Sequence, residues 1–155
     1  MKNKDKFQIL LKISFTSCIL FLILTSLSMY FYPGGTMYNN FMSPNFDSSN
    51  NSYLHFMNFF SDLGLYRSWS GSVNFLSSIL FSYSLLSVGI GIICYYFAIH
   101  FLLMKSKELI KFSKIGIFFA ISSSIGFIFV GFTPSDLFLA EHMFFVNLAF
   151  RSFLI

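Results

Sequence analysis

The chain has 155 residues, of which 55% are hydrophobic and only 10% are charged. Soluble domains carry about 25% charged residues, so this composition excludes an ordinary water-soluble protein. The net charge of +4 does not indicate nucleic-acid binding, because the lysines flank apolar segments, where they orient a membrane protein. We therefore predict an all-α membrane protein, a polytopic helical bundle that forms a single integral membrane domain over residues 1–155.

Four hydrophobic segments are predicted to enter or cross the membrane, at about residues 13–32, 79–104, 115–132 and 142–155. About twenty helical residues extend roughly 30 Å, which is the thickness of the hydrocarbon core. The first three segments satisfy this length. The last segment is too short by the same measure, so we expect an incomplete span in a truncated chain.

The first segment has a second interpretation as a secretory signal peptide. It follows a basic start, and Ser26-Leu27-Ser28 fits the small-residue cleavage pattern. The apolar run nevertheless continues to Tyr32, with aromatic residues that suit a membrane interface. An uncleaved span is therefore favoured.

The lysines predict which side of the membrane each connection occupies. All eight lysines lie before the first segment or in the connection 105–114, whereas the loop 33–71 has Arg67 as its single cation. Positively charged connections stay in the cytoplasm. The N-terminus is therefore expected to be cytoplasmic and the loop 33–71 to lie outside.

The fourth segment carries polar side chains at helical spacing. At 100° per residue one face collects Asp136, Ala140, Met143, Asn147 and Arg151. Arg151 is expected near mid-bilayer depth, where a charge costs roughly 2.5–3.5 kcal/mol on an insertion scale. We therefore predict that this polar stripe points inward, towards protein or a wet cavity.

The start of the same segment matches a helix-capping pattern. Thr133 at the N-cap, Pro134 at the first helical position and Asp136 at the third would form a variant of the capping box. His142 lies 240° around the helix from Asp136, so these two side chains are not expected to pair within the helix. His142 could instead meet Asp62 of the loop, because both are predicted at the outer boundary.

Small residues recur at helical spacing on the second and third segments. In membrane helices such residues allow close approach of two backbones, so we expect these faces to point into the bundle. On the second segment one face has Ser77, Ser84 and Gly91, and another has Asn74, Ser78, Ser82, Gly89, Tyr96 and His100. On the third segment the face has Gly116, Ala120, Ser124 and Gly131.

The outer loop has three parts with different composition. Pro33-Gly34-Gly35 is a turn signal, and the Asn- and Ser-rich stretch 39–52 is predicted to be irregular and exposed. The stretch 58–64 is denser, and there Ser61 or Asp62 is expected to cap a short helix, with Gly64 permitting a tight turn.

These motifs resemble a family of prokaryotic multi-span membrane proteins catalogued as domain of unknown function 998. The matching features are Pro33-Gly34-Gly35, the run 58–64, Gly71, Asn74, the run 131–136, His142 and Ala149. The resemblance implies a prokaryotic cell-membrane protein of about six spans, of which this chain lacks the last two, and it implies no activity. A looser similarity to the Frag1/DRAM/Sfk1 group of membrane proteins gives a hint towards lipid.

Three functions are compatible with these features, and membrane lipid is an expected partner in each. The favoured hypothesis is a structural or assembly role, with small residues and the polar stripe contacting partner helices or another copy in a homo-oligomer. The alternative is an outward-facing site for a lipid headgroup or small molecule, which could modify lipid. Transport is less favoured, because no internal repeat is visible. The candidate polar site comprises Asp62, Asn74, Asp136, His142, Asn147 and Arg151.

No catalytic residue, metal ligand or cofactor is assigned. His55, His100 and His142 are predicted on different elements, which disfavours an integral-membrane metal hydrolase. Cys18 and Cys94 lie in apolar segments and are interpreted as small buried residues, because neither has metal-ligand spacing. Enzyme activity is therefore undecided, and a non-catalytic protein is favoured.

Overall fold

The structure, a computed structural model, describes residues 3–37, 51–104 and 106–154. It confirms the predicted all-α fold. Within the described residues the helices are α1 (Asn3–Tyr30), α2 (Phe75–Leu103), α3 (Lys107–Phe132) and α4 (Leu139–Phe153), with a short 3-10 helix (Phe60–Gly64) before α2. Most of the predicted irregular stretch 39–52 lies outside the described residues.

Three of the helices have the length and composition of membrane spans. α1, α2 and α3 contain 28, 29 and 26 residues, with a mean hydropathy of 2.0 to 2.2 in their most apolar windows. α4 has 15 residues, about 22 Å at 1.5 Å per residue, which is less than the hydrocarbon core. The protein is therefore an integral membrane protein with several membrane-spanning helices.

The side chains are distributed as a membrane requires. Ser28, Ser77 and Ser123 are fully buried, whereas large apolar residues such as Phe15 and Phe118 are exposed. In water this arrangement would leave much apolar surface unpaired. In lipid it is favourable, because apolar side chains face acyl chains and small residues bring helices together.

The helices pack in chain order, each antiparallel to the next. α1 packs against α2, α2 against α3 and α3 against α4. Lys6 lies 5.3 Å from the ring centre of Phe101, and the Asn3 side chain contacts the sulfur of Met104. The start of α1, the end of α2 and the start of α3 thus meet at one end, called here the lysine end. The opposite end, with the connections 31–37, 51–74 and 133–138, is called the cap end.

Serine hydroxyls connect every pair of neighbouring helices. Between α1 and α2, the Ser28 hydroxyl donates to the carbonyl of Ser77 at 2.8 Å, and Ser87 donates to the carbonyl of Ser17 at 2.8 Å. Further hydroxyl-to-carbonyl bonds join Ser82 to Gly131 and Ser123 to Ala149. Each hydroxyl satisfies its own hydrogen-bonding demand and fixes the register of two helices, which matters where water is absent.

The small-residue faces predicted for α2 and α3 lie at helix contacts, which confirms their inward orientation. A Cβ added at Gly91 would lie 3.0 Å from the Ser17 side chain of α1. At Gly89 it would lie 2.8 Å from the Ile128 side chain of α3. One face of α2 therefore contacts α1 and the other contacts α3. His100, which bonds to Ser113 at 2.6 Å, lies at the lysine end.

The part of the polar stripe with Asn147 and Arg151 points away from the bundle, so the prediction that it faces inward is wrong there, whereas Asp136 and Met143 line a cavity at the cap end. α4 buries His142 and Ala149, with Phe145 and Val146 partly buried between them. All five residues of the stripe are exposed, namely Asp136, Ala140, Met143, Asn147 and Arg151. At 100° per residue the two faces of α4 lie roughly 150° apart.

Close backbone packing explains this orientation of α4. A Cβ added at Gly126 would lie 2.5 Å from the backbone nitrogen of Ala149, so α3 and α4 nearly touch at this point. Ala149 is the smallest side chain available on its face, and it allows that approach. A face with Met143, Asn147 and Arg151 is too bulky to do so.

The contact between α3 and α4 can be tested with two adjacent serines. Ser123→Ala removes the bond to Ala149 and is expected to lower the free energy of unfolding by roughly 0.6 kcal/mol, the average for hydrogen bonds between membrane helices, and by no more than about 1.7 kcal/mol. Ser122→Ala is the matched control, because Ser122 bonds to Phe118 of its own helix. Unfolding in detergent, followed by circular dichroism, measures both. Equal stability of the two variants would contradict the role given to Ser123.

Candidate functional site

The cap end is organised around buried amides that bind loop carbonyls. Asn74, just before α2, donates from its side-chain nitrogen to the carbonyls of Leu63 and Leu65, each at 3.0 Å. Its side chain is 1% exposed. Ser77 also donates to the carbonyl of Leu63, at 3.2 Å. Asn74 therefore holds the cap loop (residues 51–74) onto the start of α2, which is an architectural role.

Asp62 lies inside the 3-10 helix and is almost completely buried, with 3% of its surface exposed. Its carboxylate accepts from the backbone N–H of Phe59 at 2.9 Å and from the side chain of Asn58 at 3.1 Å. Asn58 also donates to the carbonyl of Gly35 at 2.9 Å, which ties the loop to the chain leaving α1. Asp62 thus reaches back to the start of its helix, as predicted for a capping residue.

Burial changes the acidity of Asp62. Desolvation raises the pKa of this carboxyl above its ordinary value of 3.8, against the opposing effect of hydrogen bonds from Asn58, Trp69 and Phe59. The same cause raises the pKa of the neighbouring Tyr53 hydroxyl. The interior of the cap therefore disfavours negative charge.

Asp136 does not cap α4, so that prediction is wrong. Its two carboxylate oxygens accept from the backbone N–H groups of Tyr66 and Arg67, at 3.0 and 2.9 Å. Thr133 donates to the carbonyl of Phe129 at 2.8 Å instead of acting as the N-cap. The carboxylate thus binds two consecutive N–H groups of the cap loop in a bidentate manner. It cannot cap α4, because that helix begins only at Leu139.

His142 is held in one tautomer by the connection before α4. Its Nδ1 lies 2.7 Å from the carbonyl oxygen of Thr133. A carbonyl can only accept, so Nδ1 carries the hydrogen and Nε2 carries a lone pair in the neutral ring. The residue is 4% exposed, and no described residue makes a hydrogen bond to Nε2. Nε2 is thus left as an acceptor for another group.

Asp62, Asp136 and His142 line a cavity of about 540 Å³ at the cap end, called here the cap cavity. It is lined by Met37, Phe59, Ser61, Asp62, Leu65, Trp69, Ser135, Asp136, Leu139, His142, Met143 and Val146. The cavity brings together three residues of the predicted polar site, namely Asp62, Asp136 and His142. The predicted proximity of His142 to Asp62 is realised as a shared cavity, without a direct hydrogen bond between the two.

The other predicted site residues lie elsewhere. Asn74 is below the cap loop, and the Asn147 amide donates to the carbonyl of Met143 in its own helix at 2.8 Å. Arg151 is exposed near the end of α4. Trp69, which lines the cavity, was not selected from the sequence, where it is indistinguishable from a tryptophan at the headgroup level of a membrane.

The donor set of the cap cavity limits its chemistry. Within the described residues no three His, Cys, Asp or Glu side chains are grouped to hold a metal ion, and Cys18 and Cys94 are free thiols. The cavity offers two carboxylates and an imidazole acceptor within mostly apolar walls. Such a lining can bind a group that donates hydrogen bonds or carries positive charge.

Comparisons with family models, with curated proteins and with solved structures find no match to this chain. Functional inference therefore depends on the geometry of the cap end.

Asp62→Asn is expected to flatten the pH dependence of stability. Because its pKa is raised in the folded state, wild-type protein keeps this proton at pH values where the unfolded chain has lost it. The free energy of unfolding of wild-type protein therefore falls as pH rises from 3.8 to the raised pKa, and the amide removes this contribution. Melting temperatures across this range in detergent measure the effect.

Glu108→Gln, at the lysine end, is the control for loss of one carboxyl group, and it should keep the wild-type slope. A slope that persists in Asp62→Asn would show that another group titrates.

Proposed function

We propose that this chain binds an amphipathic molecule, either a lipid through its headgroup or a small molecule, in the cap cavity. The single observation that carries this proposal is the convergence of Asp62, Asp136 and His142, from three separate segments, on one mostly apolar cavity. Ligand sites typically combine apolar walls with a few polar groups that fix orientation. A binding role, without chemical conversion of the ligand, is sufficient to explain why these three polar side chains lie in the cavity.

The charge of the cavity selects the class of ligand. Among the described residues that line it there is no lysine or arginine. Arg151, whose guanidinium could bind a phosphate or carboxylate, is not part of the lining. The site therefore favours a headgroup with N–H or O–H donors, and it disfavours one that presents only anionic oxygens.

The cellular setting is part of the proposal. We place the protein in a prokaryotic cell membrane, with the lysine end in the cytoplasm according to the distribution of positive charge. The cap cavity then opens at the outer surface. The resemblance to the family called domain of unknown function 998 stays a prediction that agrees with this location.

Leu139→Trp tests whether the cap cavity binds lipid. Leu139 lines the cavity and is exposed, so a larger ring fills space without entering the core. We expect a loss of at least about tenfold in bound lipid, or roughly 1.4 kcal/mol. Native mass spectrometry of detergent-solubilised protein, mixed with phosphatidylethanolamine and phosphatidylglycerol, counts the bound molecules.

Leu137→Trp is the matched control, because Leu137 is also exposed and does not line the cavity. Both variants should keep the wild-type melting temperature. Equal lipid retention by both variants would overturn the cap cavity as the binding site.

A second candidate function, assembly through α4, is supported by the exposed polar stripe. Asn147 and Arg151 lie on the face of α4 opposite to Ala149, and Ala149 contacts Ser123 near the middle of α3. A charge at that depth is stabilised when another helix supplies a carbonyl or a carboxylate. In this interpretation the stripe contacts a second copy or a partner helix.

Arg151→Leu tests self-association. If the stripe joins two copies, this variant should lower the dimer fraction at least about fivefold, while its helix content stays unchanged. Sedimentation equilibrium in density-matched detergent measures the dimer fraction. The control is Phe118→Leu, at an exposed position on α3. A monomer in wild type, or equal dimer fractions in all three proteins, would remove the evidence for self-association.

A further inference from the structure

A second cavity of about 270 Å³ adjoins the cap cavity and extends towards the lysine end between α2 and α4. The two cavities share Phe59, Ser61 and Val146 as lining residues. The deeper walls of this second cavity come from α2, α3 and α4. We call it the α2–α4 groove. Those walls are Phe81 and Leu85 of α2, Phe127 and Val130 of α3, and Phe150 of α4.

The groove follows from how α4 is attached. α2 and α4 both pack against α3 but make little direct contact with each other within the described residues. Gly126 and Ala149 allow α4 to pack tightly onto α3, and Phe81, Phe127 and Phe150 line the space between α2 and α4. A narrow apolar channel therefore opens between them and joins the polar mouth above.

We propose that the two cavities form one lipid site, in which the cap cavity holds a primary-amine headgroup and the α2–α4 groove holds one acyl chain. This inference rests on the proposed function and specifies its ligand class. The second acyl chain would remain in the bilayer.

The headgroup assignment follows from the hydrogen-bonding groups at the mouth. A primary ammonium has three N–H donors and a positive charge. The lone pair on Nε2 of His142 can accept one donor, and the carboxylates of Asp62 and Asp136 can accept others. A quaternary ammonium has no N–H to donate, and a phosphoglycerol headgroup carries net negative charge towards two acids. The lining thus distinguishes amine lipids from both of these classes.

The chain assignment follows from the dimensions of the groove. From Leu139 in the cap cavity to Phe150 at the far end of the groove, eleven residues of α4 extend roughly 16 Å, which is about half of the hydrocarbon core. The groove itself takes the last part of this length, from Val146 to Phe150, and its volume of about 270 Å³ holds the part of an acyl chain that follows the headgroup. Apart from Ser61 at its mouth, the groove is lined by apolar side chains, so a chain loses no hydrogen bond by entering it.

Competition between lipids tests the headgroup. Detergent-solubilised protein would be mixed with equal amounts of phosphatidylethanolamine, phosphatidylcholine and phosphatidylglycerol of identical chains, and bound species would be counted by native mass spectrometry. We expect phosphatidylethanolamine to be retained at least about fivefold over each of the others. Soluble phosphoethanolamine, added in excess, should displace little lipid, since it lacks the acyl chain.

Phe150→Trp tests the groove, because Phe150 lines the groove but not the cap cavity. The larger ring should reduce bound phosphatidylethanolamine at least about fivefold. Phe153→Trp is the control, since Phe153 is similarly exposed and lines neither of the two cavities. Circular dichroism and melting temperature verify that both variants fold.

The outcomes separate this inference from the proposed function. Lipid that is lost in Leu139→Trp but shows neither an amine preference nor sensitivity to Phe150→Trp would overturn the inference and leave the proposed function intact. Displacement by phosphoethanolamine as effective as by the whole lipid would overturn the acyl-chain assignment. Absence of bound lipid in wild-type protein would overturn both.

Discussion

The structure depends on one recurring interaction, a serine hydroxyl that donates to a backbone carbonyl of the adjacent helix. Lipid provides no hydrophobic force between apolar helices, so close contact and hydrogen bonds must stabilise the bundle. Serine supplies both, since it is small and carries a donor. Ser28, Ser87, Ser82 and Ser123 make such bonds across successive helix pairs. The bundle is therefore polar at its contacts and apolar on its surface.

The cap end applies the same rule to loops. Asn74 and Asn58 satisfy carbonyls of the chain around them, and Asp136 satisfies two N–H groups of the cap loop. These side chains remove the cost of burying backbone groups that no helix pairs. They also leave the carboxylate oxygens with further lone pairs at the cavity. Architecture and ligand binding are thus compatible functions of the same acids.

Helical periodicity predicted the features that depend on neighbouring turns of one helix. The small-residue faces of α2 are such features, and both lie where expected. The role of Asp136 depends on Tyr66 and Arg67, about seventy residues away, so the local capping pattern gave the wrong partner. The orientation of α4 depends on competition between faces. The exclusion of charge from lipid favours burial of the polar stripe, but the close approach of α3 at Gly126 requires the small side chain of Ala149, and this packing decides the orientation.

Competition between close packing and the exclusion of charge from lipid explains how α4 is attached to the bundle. Packing at Ala149 fixes α4 on α3, and the bond from His142 to Thr133 fixes its start. Neither contact closes the space towards α2. A helix held along one edge leaves an apolar channel on one side and exposes a polar stripe on the other. An acyl chain in the channel would add dispersion contacts that the helices do not make with each other. Occupancy of the groove would therefore stabilise α4 through packing, independently of any partner that covers Arg151.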